Sequence, residues 1–178
     1  MAMTTPFVQA INNMEHEAVE LLLQHGAKIK FRWVPWYLHS DARMMEILLR
    51  YGYDPNSMFG PHTLLINVIV DGTIEVLELL LDYGADPSKP DIHGRSPISI
   101  ALQEDNMNII TLLCKRGADL TVKENDMTLT ELWARDKFHD KLLILLKYGA
   151  PCNIEAIPDR FRKRFTNEIL ELIKHNNE

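Results

Sequence analysis

The feature that constrains this chain most is an apolar run ending in glycine, which occurs five times. The segments LLLQHGAK, ILLRYGYD, LLLDYGAD, LLCKRGAD and ILLKYGAP align on Gly26, Gly52, Gly84, Gly117 and Gly149, at spacings of 26, 32, 33 and 32 residues. Glycine is typical of a helix end, because it adopts the left-handed conformation without steric cost. A repeat of this length predicts stacked units that bury their apolar faces against each other.

A second landmark lies 21 residues before four of these glycines, at Thr5, Thr63, Ser96 and Thr128. A hydroxyl group at this position can accept a hydrogen bond from a backbone N–H of the first helical turn. Each unit is therefore predicted to be a helix, a short turn, a second helix and a loop. Phe31 breaks the landmark in the second unit, which is also too short, so we expect the loop before it to be missing.

The period of about 33 residues, the tetrapeptides TPFV, TLLI, SPIS and TLTE, and the LLxxGAD endings resemble the ankyrin repeat. The clearest copies are residues 91–119 and 63–86. The resemblance implies an all-α fold, an ankyrin-repeat solenoid of stacked helix-turn-helix units with short loop fingers. It places repeats at 5–30, 31–58, 59–91, 92–123 and 124–153, and capping helices at 157–176, in a single domain of residues 1–178.

The two ends of such a stack need polar outer faces, since otherwise stacking would continue with another chain. The first repeat supplies polar residues that suit a solvated cap, namely Asn12, Asn13, Glu15, His16, Glu17 and Glu20. The C-terminal segment carries an apolar stripe that we expect to face inward, namely Phe161, Phe165, Ile169, Leu172 and Ile173. Its sequence also loosely resembles the degenerate box with which some ankyrin proteins recruit a ubiquitin ligase, and capping is the favoured interpretation.

Composition and charge narrow the class of protein. The net charge of −6 gives no general attraction to nucleic acid, and the one basic run, Arg160 to Arg164, is interrupted by phenylalanines, which favours a solvated helix face. No apolar run approaches the roughly 18 residues of a membrane span. Cys114 and Cys152 form no CxxC pair, which favours a reducing compartment. We therefore expect a cytoplasmic protein, with the nucleus as the alternative, that binds neither nucleic acid nor membrane.

The motifs of common enzymes and metal sites are missing from the sequence. It has no phosphate-binding glycine loop, no HExxH and no EF-hand loop, and its seven histidines lack metal-ligand spacing. Cys114 aligns with leucines and is expected to be a small buried hydrophobe, whereas Cys152 follows the last glycine in a loop that allows exposure. The acidic pairs Glu104 with Asp105 and Asp136 with Asp140 are expected to be solubilising charges. We expect no catalysis, cofactor or metal.

The resemblance also implies where a partner binds, on finger tips and on the seventh and eighth residues after each capping position. The positions expected to contact a partner are Leu38, His39, Met58, Phe59, His62, Val70, Asp71, Ile92, His93, Arg95, Gln103, Glu104, Asn125, Asp126, Met127, Arg135 and Asp136. Leu38, Met58, Phe59 and Val70 are the expected apolar anchors, although Phe59 can equally pack against the neighbouring finger.

These positions predict a monomeric protein–protein interaction module, acting as an adaptor, scaffold or inhibitor. The alternative function resembles that of the small ankyrin proteins with which some viruses and intracellular bacteria imitate inhibitors of Rel-type transcription factors. A ubiquitin-ligase substrate adaptor, acting through the C-terminal helices, is a further alternative.

One aromatic cluster, FRWVPWYLHS at residues 31–40, has two interpretations. Trp33 falls at a core position of the repeat, and Trp36 and Tyr37 fall where small residues are usual. Pro35 lacks a backbone N–H, so a short helix is expected to start there. The favoured interpretation is that the rings fill space left by the missing loop, and the alternative is that Trp36 or Tyr37 is an exposed aromatic anchor.

Overall fold

The computed structural model describes residues 5–30, 35–135 and 139–177. The chain forms two compact units. Unit 1 comprises Met1–Asp86 with Asp91–His93, and unit 2 comprises Pro87–Pro90 with Gly94–Glu178. Trp33 and Asp136, for which the sequence predicts a core and a surface position, lie outside the described residues.

Unit 1 is a series of antiparallel helix pairs with one two-residue-strand hairpin. Its elements are α1 Pro6–Asn12, α2 His16–Gln24, a 3₁₀-helix at Trp36–Ser40 (the short helix), α3 Ala42–Arg50, β1 Met58–Phe59, β2 His62–Thr63, α4 Leu64–Asp71 and α5 Ile74–Asp82. The second helices stack in order, with α2 against α3 and α3 against α5, and the short helix contacts α3, α4 and α5. Unit 1 thus has the helix-turn-helix repeats that the sequence predicts.

Unit 2 continues the same pattern and adds the C-terminal helices. Its elements are α6 Pro97–Gln103, α7 Met107–Lys115, β3 Lys123–Glu124, β4 Met127–Thr128, α8 Leu129–Trp133, α9 His139–Lys147, a second 3₁₀-helix at Ile154–Ala156, α10 Asp159–Arg162 and α11 Asn167–Asn177. Helix α9 packs between α7 and α11. None of the helices in the described ranges is both long and apolar enough to cross a bilayer.

The hydroxyl landmarks cap the first helix of their repeats, as predicted. Thr5, Thr63, Ser96 and Thr128 each accept a hydrogen bond from the backbone N–H three residues later. Each second helix ends two residues before one of the five repeated glycines, whose φ angles lie between +78° and +89°. A residue with a Cβ would be strained there, which explains why glycine recurs.

The core consists of the apolar faces of the paired helices. Leu48, Leu65 and Leu77 are fully or almost fully buried in unit 1, as are Ile98 and Leu113 in unit 2. The apolar periodicity of the sequence predicts such buried side chains on helices that pack against neighbours on both sides of a stack.

The C-terminal helices cover α9, with their apolar residues inward. Ile169 and Ile173 of α11 join a buried cluster with Leu142 and Leu146 of α9, and Phe161, Phe165 and Leu172 pack against it. The amide of Asn176 also donates to the Leu146 carbonyl at 2.8 Å, across α11 and α9. The predicted inward stripe is confirmed.

The first repeat matches the expected polar cap only in part. His16 lies 2.8 Å from Asp41, Glu17 accepts from Arg43 at 2.6 Å, and Glu20 pairs with Arg50. His16 and Glu20 are half-buried at these contacts, whereas Glu17 remains exposed. The predicted solvated cap is therefore confirmed for Asn12, Asn13, Glu15 and Glu17, which are exposed, and is wrong for His16 and Glu20.

Candidate functional site

The short helix is where the structure corrects the expected partner surface most. Pro35 caps it and the helix begins at Trp36, as its missing N–H predicts. Leu38 and His39 are 0% and 1% exposed, so the prediction that they lie on the surface is wrong. The count assumed a full α-helix of about 3.6 residues per turn, whereas a 3₁₀-helix has about 3.0 and starts later.

His39 is held against the turn between α4 and α5. Its carbonyl accepts from the Thr73 N–H at 3.2 Å, and a Cβ at Gly72 would lie 2.7 Å from the same oxygen. Neither ring nitrogen of His39 has a hydrogen-bond partner among the described residues. Burial lowers the pKa of His39, and the nearby Asp71 carboxylate opposes this in part.

Trp36 and Tyr37 differ in how far their side chains are exposed. Trp36 is 72% exposed, so the interpretation that it fills the core is wrong. Tyr37 is half-buried and its hydroxyl donates to Asn12 Oδ1 at 2.8 Å, which ties the short helix to the end of α1. The two rings meet edge to face with centroids 6.1 Å apart. Trp36 is thus an exposed ring beside a fixed neighbour, and Tyr37 is a supporting residue.

The finger tips of unit 1 present two apolar side chains on an ordered backbone. In the β1–β2 hairpin Phe59 pairs with His62, and Phe59 is 36% exposed. The ring of His62 lies 3.1 Å from the buried carboxylate of Asp91, and the Ile92 N–H donates to the Pro61 carbonyl at 3.0 Å. These bonds hold the backbone of Ile92 to the hairpin while its side chain stays 68% exposed.

The remaining unit 1 positions lie around the same elements. Val70, in the last turn of α4, is 47% exposed, and the following Asp71 is exposed too. Met58 is half-buried, and His93 is exposed with its N–H bonded to Asp91. Since α4 contacts both the hairpin and the short helix, the elements carrying Trp36, Phe59 and Val70 pack together.

The corresponding positions of unit 2 are polar, with the exception of Met127. Gln103 and Glu104 are exposed at the end of α6, and Arg135 is exposed after α8. Asn125 and Asp126 form the exposed two-residue turn of the β3–β4 hairpin, with φ of +50° and +64°. Met127 and Arg95 are half-buried. Asn and Asp tolerate positive φ better than other non-glycine residues, which explains how this finger forms without the usual glycine.

Clusters of potential metal ligands and the two cysteines are the features that the sequence analysis singled out for chemistry. The described residues contain no group of three or more His, Cys, Asp or Glu side chains that could hold a metal ion. Cys114 is buried, as predicted, and burial raises the pKa of its thiol to about 11. Cys152 is also buried, although its loop position allowed exposure, because it belongs to the cluster beneath α11. Burial raises the pKa of Cys152 as well.

A buried lysine is the main feature that sequence reasoning missed. Lys141 Nζ donates to the Leu102 carbonyl at 2.9 Å, pairs with Asp105 at 2.9 Å and lies 3.9 Å from the centre of the Trp133 ring. The available signal was its register, since the other repeats carry Ala18, Met44, Val76 and Ile109 at this position. Asp105, expected to be a solubilising charge, thus pairs with a buried cation.

Comparison with known proteins agrees with this architecture. Residues 37–124 match the family model for ankyrin repeats in three copies. A crystal structure of an ankyrin repeat domain from Acinetobacter baumannii superposes with a TM-score of 0.69 and 21% identity, covering 82% of each chain. That likeness concerns the fold alone.

Curated relatives are larger proteins. The chain is 32% identical over 132 residues to the human ankyrin repeat and SOCS box protein 6, covering 64% of this chain and 31% of that protein. It is 27% identical over 138 residues to the potassium channel AKT2/3 of Arabidopsis thaliana, covering 72% of this chain and 17% of the channel. The chain therefore spans less than a third of the length of these relatives.

Proposed function

The chain is an ankyrin-repeat protein, and we propose that it binds a protein partner through the exposed apolar side chains of unit 1, without catalysis. Ankyrin repeats are a general protein–protein interaction module, and their fold is typically non-catalytic. The proposal goes further by choosing unit 1 and by naming the anchors Trp36, Phe59, Val70 and Ile92.

One observation carries this choice. Eight large hydrophobic side chains are exposed in the described ranges. Three of them, Phe59, Val70 and Ile92, fall at positions that the repeat register predicts to contact a partner, and a fourth, Trp36, is the possible anchor of the aromatic cluster. All four belong to unit 1. Exposed apolar side chains that are rimmed by polar residues favour a binding surface, whereas isolated ones need no explanation.

The chemistry of these anchors indicates the kind of partner. A Trp with two aliphatic side chains and a Phe suits a partner that offers an apolar ridge, such as one face of a helix or an extended segment. Asp71 and His93 are exposed and supply polar contacts beside Val70 and Ile92. The backbone of Ile92 is already held in place, so little ordering entropy opposes binding there.

The C-terminal helices are proposed to cap the stack rather than to recruit a ubiquitin ligase. A human relative carries a SOCS box in its name, which keeps the adaptor alternative open to test. Against it stands the placement of the apolar residues Phe161, Phe165, Ile169, Leu172 and Ile173, which pack into the cluster over α9. A recruiting surface needs apolar residues that a partner can reach.

Affinity capture with quantitative mass spectrometry tests the proposal. Wild-type protein, a Val70→Glu/Ile92→Glu variant and a Gln103→Ala/Glu104→Ala control serve as baits. The amount of each specific partner captured by the Val70→Glu/Ile92→Glu variant is expected to fall by an order of magnitude or more, since buried anchors dominate interface energies. The control is expected to capture as much as wild type. Equal capture by all three baits contradicts the choice of unit 1. Leu38→Asp is unsuitable, because it places a charge in the core.

The identity of the captured proteins decides between the finer roles. Capture of a Rel-type transcription factor would support the alternative that the chain imitates an inhibitor of such factors. Capture of ubiquitin-ligase subunits would support the alternative that it is a substrate adaptor. Capture of a different protein partner supports the general role as a protein–protein interaction module. We also propose a cytoplasmic location, with the nucleus as the alternative, which imaging of a tagged chain in cells distinguishes.

A further inference from the structure

The outer face of the first repeat is an apolar depression on unit 1. It is formed by the sides of α1 and α2 that point away from α3, together with residues 27–30, and is called here the N-terminal face. Two adjoining grooves of about 500 Å³ and 440 Å³ cross it and share Pro6 and Leu22. Phe7, Val8 and Ala27 line the first groove, and Ala10, Ala18 and Leu21 line the second.

The other repeats bury the positions that this face leaves open. Leu22 is half-buried, yet its equivalents Leu48, Leu80, Leu113 and Leu145 are fully buried. Leu21 is 55% exposed, whereas its equivalents Ile47 and Leu112 are 3% and 8% exposed and its equivalents Leu79 and Ile144 are half-buried.

Within unit 1 this burial comes from helix stacking, since α3 packs against α2 and α5 packs against α3. The N-terminal face therefore has the shape and chemistry of a surface that accepts a helix pair of the same repeat type.

Charged residues mark the two ends of the face. Lys28 and Lys30 line the groove at the end where α1 begins and α2 has ended. Glu15 lines the other groove, at the turn between α1 and α2, and accepts a hydrogen bond from the Asn13 amide at 3.0 Å. None of these three charges has an ion-pair partner in the part of the chain that the structure describes. The face is thus basic at one end, apolar in the middle and acidic at the other.

We propose that the N-terminal face binds the same face of a second copy of this chain, giving a symmetric dimer. A two-fold axis that lies in the interface and across the helices places the basic end of one copy against the acidic end of its partner. The same axis brings Leu21 and Leu22 of both copies to the centre, where apolar anchors are most effective. The dimer replaces the monomer that the sequence predicts, and it leaves the proposed partner surface of unit 1 to a different set of residues.

Sedimentation velocity and light scattering over micromolar to sub-millimolar concentrations test the dimer. The wild-type chain of 20.6 kDa is expected to approach twice that mass, and Leu21→Glu is expected to raise the dimer Kd by an order of magnitude or more. Val70→Glu, at a comparable exposure elsewhere on unit 1, is the matched control and is expected to dimerise normally. Circular dichroism checks that each variant folds, as expected for half-exposed positions.

A charge exchange tests the two-fold arrangement itself. Glu15→Lys alone makes both ends basic, and Lys28→Glu/Lys30→Glu makes both ends acidic, so each variant is expected to stay monomeric at concentrations where wild type dimerises. Mixing the two variants is expected to restore a dimer containing one copy of each, because every basic end then meets an acidic end.

Several results overturn the proposal. The proposal fails if the wild-type chain stays monomeric throughout the concentration range. It also fails if the mass grows past that of a dimer, because such growth indicates head-to-tail stacking. Unchanged dimerisation of Leu21→Glu places the interface elsewhere. Partner capture by Leu21→Glu is expected to match wild type, so the dimer and the proposed function can fail separately.

Discussion

Val70 in unit 1 and Gln103 and Arg135 in unit 2 hold the same place in the repeat, seven residues after the residue that caps the first helix. Phe59 and Ile92, four residues before a cap, correspond in the same way to Glu124. Each of these positions lies on a first helix or in a finger, but Val70, Phe59 and Ile92 are apolar, whereas Gln103, Arg135 and Glu124 are polar. Asn12, at the same place in the first repeat of unit 1, is polar as well. The comparison teaches that stacking constrains the inward residues and leaves these outer positions free to specify a partner.

The largest expected effect is the loss of stability on truncating a core leucine, and comparing this loss between the units tests whether they are equally well packed. Leu48 and Leu113 are equivalent leucines that are both fully buried. Leu48→Ala and Leu113→Ala should each lower the free energy of unfolding by about 2–5 kcal/mol, because each leaves a cavity in a helix stack. Urea denaturation followed by circular dichroism measures both. A cost below about 1 kcal/mol in only one variant would show that one unit is loosely packed.

A second prediction concerns the position where unit 2 departs from unit 1. Lys141 stands where unit 1 has Met44 and Val76. Lys141→Ala should destabilise the protein by about 2–3 kcal/mol, because it leaves a cavity. Lys141→Ala and Lys141→Met both remove the charge and the hydrogen bond to the Leu102 carbonyl, so the two variants differ in packing. Lys141→Met should cost about 1 kcal/mol or less, since it keeps most of the volume and removes the cost of burying a charge. Equal losses for both variants would show that the ammonium group itself stabilises unit 2.

The smallest expected effect is a pH dependence confined to unit 1. His39 is buried where the equivalent Glu104 of unit 2 is exposed. Its pKa in the folded protein lies below the ordinary value of 6.5, so the unfolded chain binds more protons below that pH. Stability should therefore fall as pH drops below 6.5, by at most about 1.4 kcal/mol per pH unit from this group.

Denaturation curves of wild type and His39→Leu between pH 7.5 and pH 5, roughly the window that an ordinary histidine covers, isolate this contribution. The variant should lose the part of the slope that His39 causes, while slopes from carboxylates remain in both proteins. Parallel curves would mean that His39 is solvated or protonated in the folded state.

The sequence predicts the repeats well because their signals are local. Capping hydroxyls such as Thr63 and terminating glycines such as Gly84 set where helices begin and end, and the apolar period sets which side is buried. The inward stripe of α11 follows from the same rule, and the packing of Ile169 and Ile173 confirms it.

The candidate site was only partly predictable, because it depends on departures from the repeat. Counting positions placed Val70 and Ile92 on the surface correctly, but it failed at Leu38 and His39, where the helix is short and of the 3₁₀ type. The pairing of Glu17 with Arg43 and of Glu20 with Arg50 joins residues that are far apart in sequence, so the sequence of α2 alone does not show which of its charges contact α3. The apolar N-terminal face can be recognised only from the structure, which shows that Glu17 and Glu20 point toward α3.

The most direct test of the account is the affinity of a captured partner for matched variants of the two units. Isothermal titration with the purified partner compares wild type, Trp36→Ala in unit 1 and Arg135→Ala in unit 2. Trp36→Ala is expected to raise Kd about tenfold or more and Arg135→Ala less than about threefold, because a buried aromatic anchor contributes more than an exposed charge. A large loss from Arg135→Ala with an unchanged Kd for Trp36→Ala would contradict the claim that unit 1 carries the binding surface.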